Sequence, residues 1–204
     1  ICYAHSAEAF EAFTKLQPSL FMPEAQLASV IELSLRSKKW FIEIDEFDKK
    51  ERLLLNYGHT FGHAIEAATK FRVSHGIAVG LGCLAALELA RLLGRNLSDN
   101  TRVLTYVAFM RQWLLNLPDL RSALEAVDVD VLMDKFASDK KHGADYYAVV
   151  TLDDKGDAQL LRLPKTQLGR SDVAESFRLM LTQFTTRHGA VDEGQFAQLT
   201  EGLN

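Results

Sequence analysis

The sequence predicts a mainly α protein, a multi-helical domain with one β-hairpin. Three observations lead there. Apolar residues recur at spacings of three and four over most of the chain. Prolines and glycines interrupt that pattern between candidate helices. One stretch, Tyr146 to Leu152, is instead β-branched and aromatic, and Ala158 to Leu163 answers it across a glycine-containing turn.

The first helix is expected over Ser6 to Lys15, with Ala9, Phe10 and Phe13 on one side. Gln17 to Pro23 breaks it, because each proline disfavours helix before it, and Pro23 can begin the next. That second helix runs from Glu24 to about Ile44, with Leu27, Val30, Ile31, Leu33, Leu35 and Ile42 apolar. Asp45 to Arg52 is dense in charge and reads as an exposed, salt-bridged link. From Arg52 to Glu66 the pattern is again helical, with Leu54, Phe61, Ile65 and Ala68 near helical spacing. After a short break at Phe71 to Ser74, Ser74 can cap a further helix. That helix, His75 to Leu93, is apolar almost all round and reads as the centre of the core, with Gly94 ending it. Asn96 to Asn100 is a loop with capping residues, and Thr101 to Leu117 is a helix whose Val, Leu, Phe and Trp113 stripe belongs to the core. Pro118 breaks it. Asp119 to Val127 and Asp130 to Ser138 are short helices, with His142-Gly143 closing the second. Tyr146 to Leu152 and Ala158 to Leu163 pair about Asp153 to Asp157, and Pro164 closes the hairpin. Ser171 to Arg187 is the last long helix, and the tail from Gly189 is a short helix or a loose end.

A chain of 204 residues is long enough for one domain with a real core, and we take 1–204 as that domain. With 48% hydrophobic and 25% charged residues the composition is that of an ordinary globular protein. A net charge of −4 gives no general attraction to nucleic acid. Cys2 and Cys83 provide neither a disulfide framework nor a Cys-x-x-Cys metal knuckle, which favours a reducing, cytoplasmic compartment. No basic-then-apolar leader opens the chain, and the longest uncharged apolar run, Ile77 to Leu87, is shorter than the about 20 residues of a membrane span. The sequence opens at Ile1 without Met and reads as part of a longer protein. It contains no G-x-G-x-x-G after a strand, so no dinucleotide-binding unit is expected in it.

The chemistry concentrates in one place. His59 and His63 stand four apart, so a helix would turn both rings to one side, and Glu66 follows on that side. His75 returns after the break, and a bent helical pair would bring His59 and His75 to one point. Imidazole is the commonest protein metal ligand, and a catalytic zinc needs three protein ligands with one position open. The bare His-x3-His spacing also suits a solvated face. Gly58 and Gly62, unfavourable inside a helix, indicate either approach of a ligand or tight helix–helix contact. His5, His142 and His188 read as surface histidines.

The run Arg52-x3-Asn56-x-Gly58-His59-Thr60-x-Gly62-His63-Ala64-x-Glu66, followed by His75-Gly76-x-Ala78-Val79, resembles the metal-binding region of 3-dehydroquinate synthases and related sugar-phosphate cyclases. Lys38 with Asp45-Glu46 upstream and Asp139-Lys140-Lys141 downstream fit the same pattern, which reaches to about Leu163. Lys50, Tyr57 and Ile77 depart from it, standing where Gly, Leu or Phe, and Glu are usual. The resemblance implies an NAD- and zinc-dependent carbon–oxygen lyase that cyclises a sugar-acid phosphate with loss of phosphate, the shikimate-pathway step toward aromatic amino acids. It implies that His59 and His75 hold zinc, or another divalent metal such as cobalt, with a glutamate just before Ile1 as third ligand. It makes Lys38, Arg52, Asn56 and His63 catalytic groups that also bind substrate, together with Lys140 or Lys141. NAD would sit on a preceding domain that this chain lacks, so the chain alone is expected to be inactive. The expected partner is a phosphorylated sugar acid, with a homodimer allowed and neither nucleic acid nor membrane involved. If Arg52, Asn56, His59 and His63 share one helix face, the cations gather where a net charge of −4 would otherwise repel the substrate. Three other readings remain open: a cyclase of deoxy-inosose or valiolone type, an iron-type alcohol dehydrogenase, and a non-catalytic helical module.

Overall fold

The computed structural model describes residues 7–15, 22–47 and 49–186. In order it contains α1 (Ala7–Thr14), α2 (Glu24–Ile44), a 3-10 helix (Glu51–Asn56), α3 (His59–Ala68), α4 (His75–Leu92), α5 (Thr101–Leu115), α6 (Leu120–Glu125), α7 (Val129–Ala137), β1 (Tyr146–Leu152), β2 (Ala158–Pro164) and α8 (Gln167–Thr185). The mainly helical fold with one antiparallel hairpin is as the patterning predicts.

α4 is the centre. Long and apolar enough by composition to cross a membrane, it is mostly buried inside the fold, with Ala78, Leu81, Leu84 and Leu89 at 1% exposure or less. α3, α8 and β1 pack on it, and the Thr151 hydroxyl on β1 donates to the Ala86 carbonyl at 2.9 Å. Phe61 on α3 meets Phe136 on α7 and Phe177 on α8, with ring centroids 5.1 and 5.0 Å apart, so one aromatic knot joins three helices.

The crossing of α3 and α4 is a contact of backbones. A Cβ on Gly62 would lie 2.9 Å from Val79 Cα, and one on Gly82 would run into the Gly58 carbonyl and the Gly62 amide. Of the two explanations for Gly58 and Gly62, tight helix contact is the one this packing supports. It also corrects the expected continuous helix from Arg52. Gly58 has φ +77, a left-handed value that ends the 3-10 helix before α3 begins. Arg52 and Asn56 are therefore on a different helical segment from His59 and His63, and the four do not share one helix face.

Further boundaries differ for local reasons. Ser74 occupies the N-cap of α4 but makes no side-chain capping bond. α8 begins at Gln167 rather than near Ser171, because the Thr166 hydroxyl caps it by accepting from the Gly169 amide at 3.1 Å. The core stripe of α5 is only partly realised: Val103, Met110 and Leu114 are buried, while Phe109 and Trp113 are half-buried. α7 closes at Ala137, short of His142. The hairpin is as read, with Tyr146 opposite Pro164 and Leu152 opposite Ala158. The link from α2 is not simply an exposed charged run. Asp45 is 9% exposed and accepts from the amides of Lys49, Lys50 and Arg52 at 3.1, 2.7 and 3.2 Å. Burial raises its pKa, but those three donors and the Arg52 charge outweigh it and hold the carboxyl below its ordinary value. The expected features of Phe10, Phe13, His5, His188 and the tail from Gly189 lie outside the described residues or side chains.

Candidate functional site

α3 and α4 pack antiparallel, Gly58 against Cys83 and Gly62 against Val79, and the three motif histidines come together along this packing. Their ring centroids form a near-equilateral triangle: His59 to His63 5.8 Å, His59 to His75 5.6 Å, His63 to His75 5.8 Å. The turn that returns the chain is tight. Lys70 and Phe71 have φ of 53° and 61°, and the Phe71 and Lys70 amides donate to the Glu66 and Ala67 carbonyls at 2.9 and 3.1 Å. This closes α3 and starts α4 at His75.

The partners of the rings differ. His59 Nδ1 faces the Tyr57 carbonyl at 3.3 Å, and His75 Nδ1 faces Glu66 Oε2 at 3.1 Å. Both acceptors require a proton on Nδ1, which leaves the Nε2 lone pair of each ring available. His63 Nδ1 is 3.8 Å from Asp139 Oδ2, beyond hydrogen-bond length. Burial lowers the pKa of His59. The Tyr57 carbonyl pulls the other way, and His63, Lys141 and His75 add to the lowering, so the ring is held in the neutral form that binds metal. Carboxylate behind histidine, as Glu66 stands behind His75, is the arrangement that orients a metal-binding imidazole. Two donors of this set fit a divalent ion, although among the described residues no three His, Cys, Asp or Glu side chains converge as a complete site.

The cations divide. Lys141 Nζ donates to Asn56 Oδ1 at 2.7 Å, and the Asn56 amide donates to the Leu53 carbonyl at 3.0 Å, so the far-off Lys141 is brought to the 3-10 helix that precedes His59. Arg52 is half-buried and its guanidinium donates to the Glu46 carbonyl at 2.9 Å. Lys38 on α2 and Lys140 are exposed, and no described contact draws either to the histidines. The departures at Lys50 and Tyr57 have local explanations. Lys50 has φ −138 and needs no glycine, and the Tyr57 hydroxyl donates to the Cys83 carbonyl at 3.0 Å. Ile77 packs partly buried against the core.

His142 is not a free surface residue. Its Nε2 faces the Phe136 carbonyl at 2.8 Å, its Nδ1 accepts from the Ala148 amide at 3.0 Å, and its ring packs on Phe136 and Tyr147. It ties the end of α7 to β1, one residue from Lys141. The motif showed Asp139 and Glu66 but not which histidine each would face; their positions after and within the histidine run were the only signal.

The family model described as "3-dehydroquinate synthase C-terminal" matches residues 2–142. The chain belongs to that family. Within it, the chain is 34% identical over 148 residues to 2-deoxy-scyllo-inosose synthase of Streptoalloteichus tenebrarius, a match that takes in 70% of this chain and 36% of that protein. It is 36% identical over 127 residues to 3-dehydroquinate synthase of Rhodococcus opacus, covering 62% of this chain and 32% of the relative. The chain thus spans about a third of the length of these family relatives. Its fold is that of sugar-phosphate cyclases. A crystal structure of 2-deoxy-scyllo-inosose synthase with carbaglucose-6-phosphate, NAD+ and Co2+ superposes with TM-score 0.63 at 20% identity, over 87% of this chain and 51% of that one. One of 2-epi-5-epi-valiolone synthase from Streptomyces hygroscopicus with NAD+ and Zn2+ gives 0.60 at 21%, over 87% and 47%.

Proposed function

We propose that this chain is the metal- and substrate-binding part of a 3-dehydroquinate synthase-like lyase, which cyclises a sugar-acid phosphate with loss of phosphate in the cytoplasmic shikimate pathway. The observation that carries the reading is the histidine triangle with Lys141 held beside it. His59 and His75 would hold a divalent metal, zinc or cobalt, through Nε2. A metal there would act as a Lewis acid toward a substrate hydroxyl. Lys141 keeps donors beyond the one given to Asn56 and supplies positive charge for a phosphate or carboxylate. His63, 46% exposed in its side chain, presents Nε2 as a group that can take or return a proton. Arg52 and Lys38 would join only after turning from their present positions. The described residues contain a two-stranded antiparallel sheet and no parallel β-α-β unit, the usual scaffold for a dinucleotide. The 34% identity to a deoxy-inosose synthase supports a second reading within the same class, a cyclase acting on a sugar phosphate that carries no carboxylate.

Metal analysis of the purified chain tests the ligands. Metal content falls sharply in His59→Ala and His75→Ala and persists in His63→Ala; equal loss in all three rejects the assignment. The chain alone is expected to release no phosphate from a seven-carbon sugar-acid phosphate with NAD. Joined to an NAD-binding domain, turnover of that acid rather than a six-carbon sugar phosphate would separate the two readings.

A further inference from the structure

Asp139 Oδ2 is buried and has no hydrogen-bond partner, although a carboxylate oxygen out of water ordinarily finds a donor. The side chain is 10% exposed, and the nitrogen it faces is His63 Nδ1, at 3.8 Å. Its direction is fixed from the other side, because Oδ1 accepts from the Lys141 amide at 2.9 Å. The free oxygen is therefore held toward the imidazole by the turn that carries Lys141.

We propose that Asp139 is the positioning residue of His63. A carboxylate only accepts, so it selects the ring form with the proton on Nδ1 and leaves Nε2 bare on the opposite side. His59 and His75 reach the same form through Tyr57 and Glu66 at 3.3 and 3.1 Å. His63 lacks the closed bond, and a small rotation of its exposed ring brings Nδ1 within reach. One carboxylate thus sets both groups: the Lys141 backbone through Oδ1 and the His63 ring through Oδ2. The other charged or titratable groups around the ring are His59, His75, Glu66 and Lys141. The inference rests on the reading that His63 faces substrate.

The test is the tautomer of His63 in the 15N-labelled, metal-free 204-residue chain, read from two-bond ring correlations with His63→Gln assigning the signals. The expected form is Nδ1–H in the wild type. In Asp139→Asn the amide oxygen keeps the Lys141 contact and the NH2 group turns to His63, so the ring switches to Nε2–H while the circular dichroism stays unchanged. An Nε2–H form already present in the wild type overturns the proposal even if the variant does not fold, as does an unchanged tautomer in a folded variant. Titration with inorganic phosphate separates the underlying reading. With Nε2 bare the wild-type ring offers phosphate no donor, whereas the Nε2–H of Asp139→Asn does, so that variant is expected to bind phosphate roughly tenfold more tightly, and adding His63→Gln is expected to cut that gain. A switched tautomer with unaltered phosphate affinity supports the positioning role and overturns His63 as an anion-facing group.

Discussion

α4 and α2 are helices of comparable length, 18 and 21 residues, and both are rich in leucine, isoleucine and alanine, yet they live in different surroundings. α4 buries residues on every side: Ala78, Leu81, Leu84, Ala85 and Leu87 are all at 1% exposure or less. α2 buries Phe41 fully, while Leu27, Ile31 and Leu35 stay 47%, 51% and 62% exposed. The difference lies in what meets each helix. Gly62 and Gly82 let α3 and α4 approach to backbone contact, which fixes where His59 and His75 stand. α2 packs chiefly on the short 3-10 helix that follows it. The site histidines are thus carried by the rigid region, and Lys38 by the loosely packed one.

That contrast is easiest to break at its strongest point. Phe61→Ala removes a ring that α7 and α8 both pack against, and is expected to destabilise the chain by about 3–5 kcal/mol in urea unfolding. A loss under about 1 kcal/mol would mean that the aromatic knot does not hold α3 in place. Gly62→Ala is next. Its methyl meets Val79 Cα at 2.9 Å, and backbone yields less readily than a side-chain tip, so about 1–3 kcal/mol is expected. The same variant should lower metal content, because separating α3 from α4 separates His59 from His75.

How far such features could be read beforehand depended on whether their cause is local. The hairpin was legible because a β-branched and aromatic strand leads into a turn whose own side chain bonds it: Asp153 Oδ1 accepts from the Lys155 and Asp157 amides, both at 2.9 Å. α2 was legible to its last residue because Pro23 and the charged link bound it. The break at Gly58 was not, since what leaves room only for glycine there, Cys83 and the Val79 carbonyl, lies on another helix. The early start of α8 escaped because Gln167 to Arg170 carries little apolar periodicity, leaving only the Thr166 cap to mark it. The histidine cluster was visible as spacing, but its partners were not. Lys141 reaches Asn56 across 85 positions, and no local pattern distinguishes it from exposed Lys140.

His142 tests a smaller tie. With Nδ1 accepting from Ala148 and Nε2 donating to Phe136, the ring can keep both bonds only while neutral. Burial lowers its pKa; the Phe136 carbonyl and Asp139 raise it, and Lys165 and Lys141 lower it again, with the net direction downward. The unfolded state then binds a proton at higher pH than the folded one. Stability attributable to His142 is present above the ordinary histidine range and declines as pH falls through about 6.5, levelling off below the folded value. His142→Ala should cost about 1–2 kcal/mol at neutral pH and flatten that slope. An unchanged pH dependence in the variant would assign the slope to the other histidines.

The smallest effect is expected on α2, and it is the most informative about what the exposed stripe does in solution. Leu35 is 62% exposed, so only a minor part of its surface leaves water on folding, and apolar burial contributes about 25 cal/mol per Å2 removed. Leu35→Gln keeps a straight-chain helix former in place. It should therefore change the unfolding free energy by no more than about 0.5 kcal/mol. Ile31→Gln, one turn earlier on the same stripe and 51% exposed, should behave alike, though exchanging a β-branched residue for a better helix former favours the variant slightly. A loss above about 1 kcal/mol in either would show that something covers the stripe in solution. A second copy would then make the midpoint rise with protein concentration in the parent chain and not in the variant. A small, concentration-independent effect would leave the contrast intact, with α4 holding the fold and α2 only attached to it.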